Sequence, residues 1–373
     1  MEKKINPHTT TNEVTRGESS RSFGVGVKIC FFGIYDSKYS RNRVLMRGLR
    51  ENGVEIIECN SRLIGVKKYF DLIKKHRKIS GEYDVMLVAF PGYQAMILAK
   101  FLIRKPIIFD SFFSIYNSAV EDRKTRRKFS LRGVYYWFLD WLSCTLANDV
   151  LLDTEANIDY FVKKFRIKKG KFIRVFVGTD SSIFYPREVV KNEKFLVHFH
   201  GTFIPLQGTE YIIKAVDLLR DEDIEFQVIG TGQEYCRVRK IADNLGLKNI
   251  NWIDRVDYEE LPRHISKADA CLGIFGDTSK ADLVIPNKVF EDLACRRPII
   301  TASTRAIKEL LTDRENVILC NRADSSDLAK KILLIKNDES LRSIVAQAGY
   351  ELFRNSLLET DTTKHIISKH ESR

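Results

Sequence analysis

The sequence lacks the cysteine pattern of a disulfide framework or a zinc site. Its seven cysteines are odd in number and scattered along the chain, and no two of them form a Cys-x-x-Cys pair. Cysteines scattered in this way usually pack as small, buried, apolar residues of a protein in a reducing compartment. The histidines and acids also lack metal-ligand spacing, so the sequence predicts no metal site.

Long hydrophobic runs are missing as well. The longest, residues 86–103, is interrupted by Pro91, Gly92 and polar residues, which indicates a buried strand, a turn and a helix rather than a membrane span. Residues 1–26 are polar and do not resemble a signal peptide, so they predict a flexible tail. We therefore expect a cytoplasmic protein, either soluble or peripheral at the inner face of a membrane.

Positive charge is in clear excess over negative charge. The chain carries a formal net charge of +12 over 373 residues. A surplus of this size attracts nucleic acid, anionic lipid headgroups or phosphorylated substrates, and charge alone does not choose among them. No RNA-binding signature appears in the sequence, so nucleic acid is not an expected partner.

Strand and helix patterns alternate along most of the chain, which is typical of parallel sheets wound by right-handed crossovers. The runs that predict strands fall into two series. These are 27–32, 54–58, 83–90, 106–110, 150–153 and 172–177, then 195–199, 225–229, 250–253, 270–274, 298–301 and 316–319. The chain length also favours two domains.

The predicted organisation is an α/β protein with two Rossmann-like, doubly wound domains that face a central cleft. The N-terminal domain covers residues 27–187 and the C-terminal domain residues 194–345, with a linker near 184–193. Residues 346–373 are expected to form a C-terminal helix and a polar tail that pack back towards the N-terminal domain. Ligands bind such folds at the C-terminal ends of the strands, so the chemistry is expected between the domains.

A Gly-x-Gly turn follows one strand of the second series, and two histidines lie on another. Gly230-Thr-Gly232 lies between a strand and a helix, where a backbone without side chains lets a phosphate approach the helix amides. The same turn also occurs simply to permit close packing of strand and helix, and both interpretations stay open. His198 and His200 alternate on the first strand of this series, and His200, next to Gly201, is the expected cleft residue.

The order of motifs is more specific than any one of them. In the second series the order is HGTFIPLQG at 200–208, the Gly-Thr-Gly turn, NWIDRV at 251–256 and IPNKVFEDLA at 285–294. In the first series, NDVLLDT at 148–154 and VFVGTD at 175–180 complete the pattern. From residue 27 to residue 358 the chain resembles the retaining GT-B glycosyltransferases usually grouped as family 4.

The resemblance implies a nucleotide-sugar donor site in the C-terminal domain. Glu291 would accept hydrogen bonds from both ribose hydroxyls, and the alternative is an acid favoured only by the helix dipole. The backbone of Val256 would contact the nucleotide base. Lys288 and the amides near Pro286 and Asn287 would face the transferred sugar or its phosphates, with Lys288 acting in catalysis.

The sequence departs from the family pattern within the donor site. Leu283 stands where the first acid of the family's E-x7-E pair would bind sugar hydroxyls. The loop after the first strand of the second series is expected to contact the donor at Gly201, Thr202 and Gln207. In the family, the positions of Thr202 and Gln207 often carry Arg and Lys, which neutralise the diphosphate.

Other groups would have to neutralise the leaving diphosphate in their place. The candidates are Lys288, Arg255, and Arg41 from the first domain. Backbone amides and a helix dipole are the alternative source of positive charge.

In the first domain, the loop after the first strand occupies the place of the loop that closes over the donor phosphates in the family. Only Gly33 remains of the family's Gly-Gly pair. Ser40, Arg41 and Asn42 come at a helix N-terminus, which predicts an anion or sugar site, with N-capping by Ser40 as an equal alternative. Asp110 ends the fourth strand, where the resemblance implies a residue beside the acceptor, although strand-end Asp residues also cap turns.

A basic segment, residues 123–132, leads into an aromatic run at 134–139. Basic residues beside aromatic ones favour an anionic membrane surface. The alternative is a helix that buries Trp137, Phe138 and Trp141 and turns its charges to solvent.

These features predict a glycosyltransferase that moves a sugar, with retention, from a nucleotide-sugar donor to a cell-envelope glycan or lipid-linked acceptor. The donor is a substrate, so no cofactor is expected, and the transfer is expected to need no metal. The alternatives are a related GT-B enzyme such as a nucleotide-sugar epimerase, or a GT-B binding protein weakened in catalysis at Thr202 and Gln207.

Overall fold

The computed structural model describes residues 26–190 and 192–371. Within them the chain forms two α/β domains, each built on a six-stranded sheet. Every strand expected from the sequence overlaps a strand of the structure. The expected N-terminal tail, residues 1–26, lies outside the described residues apart from Gly26.

The N-terminal domain alternates strands and helices. Its strands are β1 (Lys28–Gly33), β2 (Glu55–Asn60), β3 (Val85–Val88), β4 (Ile107–Phe112), β5 (Asp149–Leu152) and β6 (Phe172–Arg174). Its helices are α1 (Ser40–Glu51), α2 (Lys67–Ile79), α3 (Tyr93–Leu102), α4 (Leu131–Leu146) and α5 (Glu155–Phe165). The sheet order is β2-β1-β3-β4-β5-β6, and every pairing is parallel. Such strands are buried on both faces, which explains the continuous apolar run of β3.

The C-terminal domain repeats this architecture. Its strands are β7 (Phe195–His200), β8 (Ile224–Ile229), β9 (Ile250–Ile253), β10 (Ala270–Leu272), β11 (Ile299–Ala302) and β12 (Ile318–Cys320). Its helices are α6 (Thr209–Leu218), α7 (Tyr235–Asn244), α8 (Leu261–Lys267), α9 (Asn287–Ala294), α10 (Ser325–Asn337) and α11 (Glu339–Ser356). The order β12-β11-β10-β7-β8-β9 reverses direction beside β7, so the ends of β7 and β10 border the crevice of the fold.

The segment after residue 358 was predicted to be a polar tail, but the structure shows that it is helical. It forms a further helix, α12 (Glu359–Glu371), which packs against α1 of the N-terminal domain. Nδ2 of Asn52 donates hydrogen bonds to the carbonyl of Thr360 at 2.8 Å and to Oγ1 of Thr363 at 2.9 Å. The close approach needs a glycine on α1, because a Cβ at Gly48 would overlap the backbone of Glu359. The chain therefore crosses back to its first domain after completing the second.

Polar contacts also join the two domains beside the cleft. The carboxylate of Glu309 accepts hydrogen bonds of 2.7 Å from the amides of Glu155 and Ala156, at the N-terminus of α5. This position is favourable for an acid because the first amides of a helix lack partners within it. Nζ of Lys280 donates to Oγ of Ser118 at 2.6 Å.

No helix within the described part of the chain combines the length and the apolar character needed to cross a membrane.

Candidate active site

A cavity of about 410 Å³ lies between the two domains at the C-terminal ends of their strands. From the C-terminal domain it is lined by seven of the residues predicted for the donor site: Gly201, Thr202, Gln207, Pro286, Asn287, Lys288 and Glu291. His200 lines it as well, as expected. A ligand in this cavity would touch both domains, as the two-domain architecture predicts.

A larger groove of about 760 Å³ is lined by the linker and by Arg296, Arg297 and Arg342. It borders Asp269 and Pro298, which directly precede β10 and β11, and so lies at the N-terminal edge of the sheet. Ligands of doubly wound sheets bind at the opposite edge, so we assign the active site to the smaller cavity.

Lys288 provides one of the positive charges of the cavity, which is also lined by Lys280 and Arg123. It lies in the first turn of α9, and its Nζ donates a 2.6 Å hydrogen bond to Oε1 of Gln207. The ammonium group also lies 3.6 Å from the ring centroid of Phe199. Burial lowers the pKa of Lys288 to about 7. An anion that enters the cavity would therefore meet a poorly solvated cation, and such a charge interacts strongly.

The backbone at Gly201 lies directly against this ammonium group. Gly201 has φ of +148°, and a Cβ at this position would lie 3.0 Å from Nζ of Lys288. The residue therefore keeps the loop after β7 open to the lysine. The N-terminus of α9 contributes further positive potential, since no side chain caps it and its first residues line the cavity.

Glu291 follows Lys288 by about one turn of α9. Its Oε2 lies 2.8 Å from Nε2 of His200, and the side chain is buried. Burial raises the pKa of Glu291 to about 7, against the opposing effect of the Lys288 charge. The helix thus presents a cation and an acid to one cavity.

Of the three cations proposed to replace the missing family residues, only Lys288 lines the cavity. Arg255 is exposed and does not belong to the cavity wall. Arg41 is completely buried in the N-terminal domain. The structure thus does not support Arg255 or Arg41 as the replacement.

Arg41 and Asp110 form a buried ion pair. NH2 of Arg41 lies 3.0 Å from Oδ1 of Asp110, and both side chains have no exposed surface. NH1 of Arg41 donates to the carbonyls of Val175 at 2.8 Å and Phe176 at 3.0 Å. The prediction that Asp110 positions an acceptor hydroxyl, and that Arg41 binds an anion, conflicts with the structure because the two side chains pair with each other and neither lines the cavity.

The rest of the predicted phosphate loop also has structural contacts. Gly33 is buried at the end of β1, and Nδ2 of Asn42 donates to the carbonyls of Asp36 and Phe90. Ser40 is not the N-cap of α1, because Tyr39 precedes the helix and no side chain caps it. Within the described chain neither Gly33, Ser40 nor Asn42 lines the cavity, so the predicted anion site is not formed by their side chains.

The Gly-Thr-Gly turn packs against the backbone of the loop after β7, which lines the cavity. A Cβ at Gly230 would overlap the carbonyl of Gly201, and a Cβ at Gly232 would lie 2.7 Å from the amide nitrogen of Phe203. These contacts favour the packing interpretation over a phosphate cradle at Gly230 and Gly232. Val256 is half-buried beside the core, and its contact with a nucleotide base stays a prediction.

The cavity residues that were not identified from the sequence include Asp153, Lys280 and Tyr258. Asp153 follows β5, and burial raises its pKa to about 7. Burial lowers the pKa of Lys280 to about 8. The strand-end signal that singled out Asp110 also marks Asp153. Sequence could not decide which of the two faces the cavity.

Comparison with known proteins agrees with this fold. Residues 181–352 match the family model "Glycosyl transferases group 1". An uncharacterized glycosyltransferase of Methanocaldococcus jannaschii is 25% identical over 190 residues, 49% of each chain. N-acetyl-alpha-D-glucosaminyl L-malate synthase of Bacillus anthracis is 21% identical over 221 residues, 55% of this chain and 54% of that one. The chain thus matches about half the length of these relatives.

Solved structures extend the likeness to both domains. Sucrose-phosphate synthase of Thermosynechococcus elongatus superposes with a TM-score of 0.72 at 13% identity, covering 93% of this chain and 98% of that one. HepE of Anabaena, solved in complex with UDP and glucose, superposes with a TM-score of 0.70 at 13% identity, covering 93% and 100%. The architecture is the GT-B fold.

Proposed function

We propose that this chain is a glycosyltransferase that transfers a sugar, with retention, from a nucleotide-sugar donor to a cell-envelope glycan or lipid-linked acceptor. One observation carries the proposal. Glu291, Lys288 and the N-terminus of α9 line a single cavity between two Rossmann-like domains. The family match over residues 181–352 supports the same class of activity.

The donor is proposed to lie along α9. Glu291 as a carboxylate accepts hydrogen bonds from the two ribose hydroxyls, and Lys288 with the free amides of α9 neutralises the diphosphate. The UDP and glucose bound by HepE make a UDP-sugar the first donor to test. Gln207 holds Lys288 by its 2.6 Å hydrogen bond and so contributes to the site without a charge of its own.

The proposed transfer breaks the bond between the anomeric carbon and the diphosphate oxygen and forms one to the acceptor oxygen. The acceptor hydroxyl passes its proton to the carboxylate of Asp153 in the same step. With retention, the acceptor approaches the face of the sugar from which the diphosphate leaves. Protein donors at Lys288 and α9 stabilise the charge that develops on the leaving group, so the proposed step needs no metal.

Asp153 replaces Asp110 as the proposed acceptor-side acid. It lies on the N-terminal wall of the cavity, and its Oδ1 accepts a 2.8 Å hydrogen bond from Nδ2 of Asn157. A carboxyl group whose pKa is raised to about 7 can take up a proton near neutral pH. We propose that Asp153 orients the acceptor hydroxyl.

An exposed apolar face of α4 supports the proposal of a lipid-linked acceptor. Leu131, Val134, Tyr135 and Phe138 are exposed at the spacing that places them on one face of the helix. Trp137 and Trp141 are half-buried and stack on each other, as the alternative interpretation predicted for these two residues.

The surroundings of this apolar face are basic. Exposed Arg127, Lys128 and Arg132 lie next to it in the chain, and Phe129 between them is also exposed. Apolar side chains flanked by cations match the headgroup region of an anionic membrane. We propose that the N-terminal domain binds such a membrane through this α4 face, peripherally and from the cytoplasmic side.

The proposed function is tested by following donor turnover with UDP-glucose, UDP-N-acetylglucosamine, GDP-mannose and ADP-glucose. A transferase releases nucleoside diphosphate faster when an envelope lipid extract is added, and the new glycosidic bond keeps the donor's anomeric configuration. An epimerase would instead yield an altered sugar without acceptor. Absence of turnover with all four donors, with and without extract, would contradict the proposal.

A further inference from the structure

A chain of hydrogen bonds leads from Glu291 into the C-terminal sheet. Nε2 of His200 lies 2.8 Å from Oε2 of Glu291, and Nδ1 of His200 lies 2.9 Å from Nε2 of His198. Nδ1 of His198 lies 3.1 Å from Oε1 of Gln227. The same Oε1 lies 3.2 Å from Nδ1 of His264. His198 is completely buried, so water does not substitute for these partners.

The proton positions along this chain depend on one another. A neutral imidazole has one nitrogen that donates and one that accepts. The Gln227 oxygen can only accept, so His198 donates to it and must accept from His200. His200 then presents a lone pair to Glu291, and that contact is a hydrogen bond only if Glu291 is protonated or His200 becomes charged.

Charging His200 is the less favourable of the two arrangements. The ring is buried, and Lys288 adds positive charge nearby, so its pKa lies well below the usual value. Glu291 is instead a buried acid, and burial of that kind favours the neutral carboxyl. The chain therefore holds a proton on Glu291 when the Gln227 oxygen faces His198.

We propose that Gln227, His198 and His200 form a relay that controls the protonation of Glu291 and thereby makes donor binding dependent on pH. The inference rests on the proposed function, in which ionised Glu291 accepts from the ribose. When Glu291 loses its proton, that proton moves to Nε2 of His200, the Nδ1 proton of His200 moves to Nε2 of His198, and the Nδ1 proton of His198 leaves to solvent. The relay is then reversed, and His200 donates to the carboxylate. The Gln227 amide then turns so that its NH2 group donates to His198. His198, His200 and Gln227 are positioning residues in this account.

Other groups face the relay from neighbouring elements. Lys288 and Asp292 adjoin Glu291 on α9, and the Tyr258 hydroxyl approaches it from the loop after β9. His264, on α8, meets the far end of the relay at Gln227. Lys288 binds anions only as an ammonium, so its titration weakens donor binding as pH rises. Protonation of Glu291 through the relay instead weakens donor binding as pH falls. The two effects can be told apart because they change the affinity in opposite directions with pH.

The experiment measures the dissociation constant of a donor between pH 5.5 and 8.5 by calorimetry. The donor is the tightest binder among UDP-glucose, UDP-N-acetylglucosamine, GDP-mannose and ADP-glucose. His198→Leu cuts the relay without touching Glu291, and Gln227→Met is a second variant that cuts it one residue farther away. His76→Leu is the matched control, because His76 is also a buried histidine with a hydrogen-bonding partner, Tyr83, but lies in the other domain.

In the wild type and in His76→Leu, donor affinity should fall about tenfold per pH unit below the apparent pKa of Glu291. In His198→Leu and Gln227→Met, His200 is free to donate to the carboxylate, so this acid limb should move down by about one pH unit. A merely structural role would lower affinity equally at every pH. An unmoved acid limb in the relay variants would overturn the inference and leave the proposed function intact. Failure of all four donors to bind would refute the proposed function and the inference together.

Discussion

The ammonium group of Lys288 lies 2.6 Å from Oε1 of Gln207. Gln207 is the neutral residue that stands where the resemblance to the family implies a lysine. The Lys288 ammonium group thus lies beside the neutral Gln207 amide in the cavity wall and brings a positive charge to that position. In the proposed donor site, the positive charge at the diphosphate comes from Lys288 and the N-terminus of α9, not from the loop after β7. This arrangement makes Lys288 the residue on which donor turnover should depend most.

Replacing Lys288 with Met should reduce turnover of the donor by about 100-fold, because one preorganised cation at a leaving group contributes on that scale. The rate of nucleoside diphosphate release measures this. Lys248→Met, which removes an exposed lysine of the same domain, should leave the rate unchanged. Equal rates for Lys288→Met and the wild type would show that the amides of α9 suffice.

The pKa of Lys288 gives donor binding an alkaline limit. Burial places this pKa near 7 in the free protein, so the ammonium form is lost as pH rises above that value. Donor affinity should therefore decline from pH 7 to pH 9 in calorimetric titrations. Lys288→Arg keeps its charge throughout this range and should flatten the decline. If the arginine variant loses affinity as steeply as the wild type, another group causes the alkaline limit.

Removing the charge of Asp110 should destabilise the fold without changing the chemistry. Asp110→Asn leaves Arg41 buried without a counter-ion, which costs about 3 to 5 kcal/mol in the free energy of unfolding. Urea denaturation measures this cost. Glu222→Gln, in an exposed pair with Lys336, should cost less than about 1 kcal/mol.

A catalytic role for Asp110 would appear in a different measurement. Donor turnover per folded Asp110→Asn molecule should match the wild type, whereas Asp153→Asn should be impaired. A large loss of turnover in folded Asp110→Asn would restore the original prediction.

Membrane binding should depend on the exposed face of α4. The double substitution Leu131→Glu and Phe138→Glu places two negative charges where apolar side chains would enter the headgroup region. Cosedimentation with vesicles that contain phosphatidylglycerol should then fall at least tenfold, since each buried apolar side chain contributes about 1.5 to 3 kcal/mol.

The control substitution is Ile344→Glu, at a half-exposed apolar residue of the C-terminal domain. It should sediment with the vesicles as the wild type does. Equal loss in both variants would point to nonspecific adsorption rather than to a docking face on α4.

The strands were predictable because parallel strands buried on both faces form continuous apolar runs, as in β1 and β3. Helix α12 was missed because its sequence is largely polar and its docking depends on Gly48, more than 300 residues earlier. Glu291 and Lys288 could be singled out because the segment at 285–294 resembles a motif of the family. The partnership of Arg41 with Asp110 joins residues 69 positions apart, and no local pattern reveals it.

The contact between His198 and His200 was also only partly predictable from the sequence. Alternation on β7 placed both rings on one face, but their link to Glu291 required the packing of α9 against the strand. Sequence order could show that these residues belong to the C-terminal domain's side of the cleft. Only the tertiary structure shows which of them touch.

The central claim is that Glu291 belongs to a nucleotide-sugar site. Its most direct test is a thermal-shift and calorimetric screen of UDP-, GDP- and ADP-sugars against the wild type and Glu291→Gln, because a ligand that binds the folded state raises its stability. We predict that at least one donor raises the Tm of the wild type and binds about 10- to 100-fold more weakly to Glu291→Gln, which loses a charged hydrogen-bond acceptor. Equal affinity of the two proteins for every donor, or no binding by either, would contradict the account.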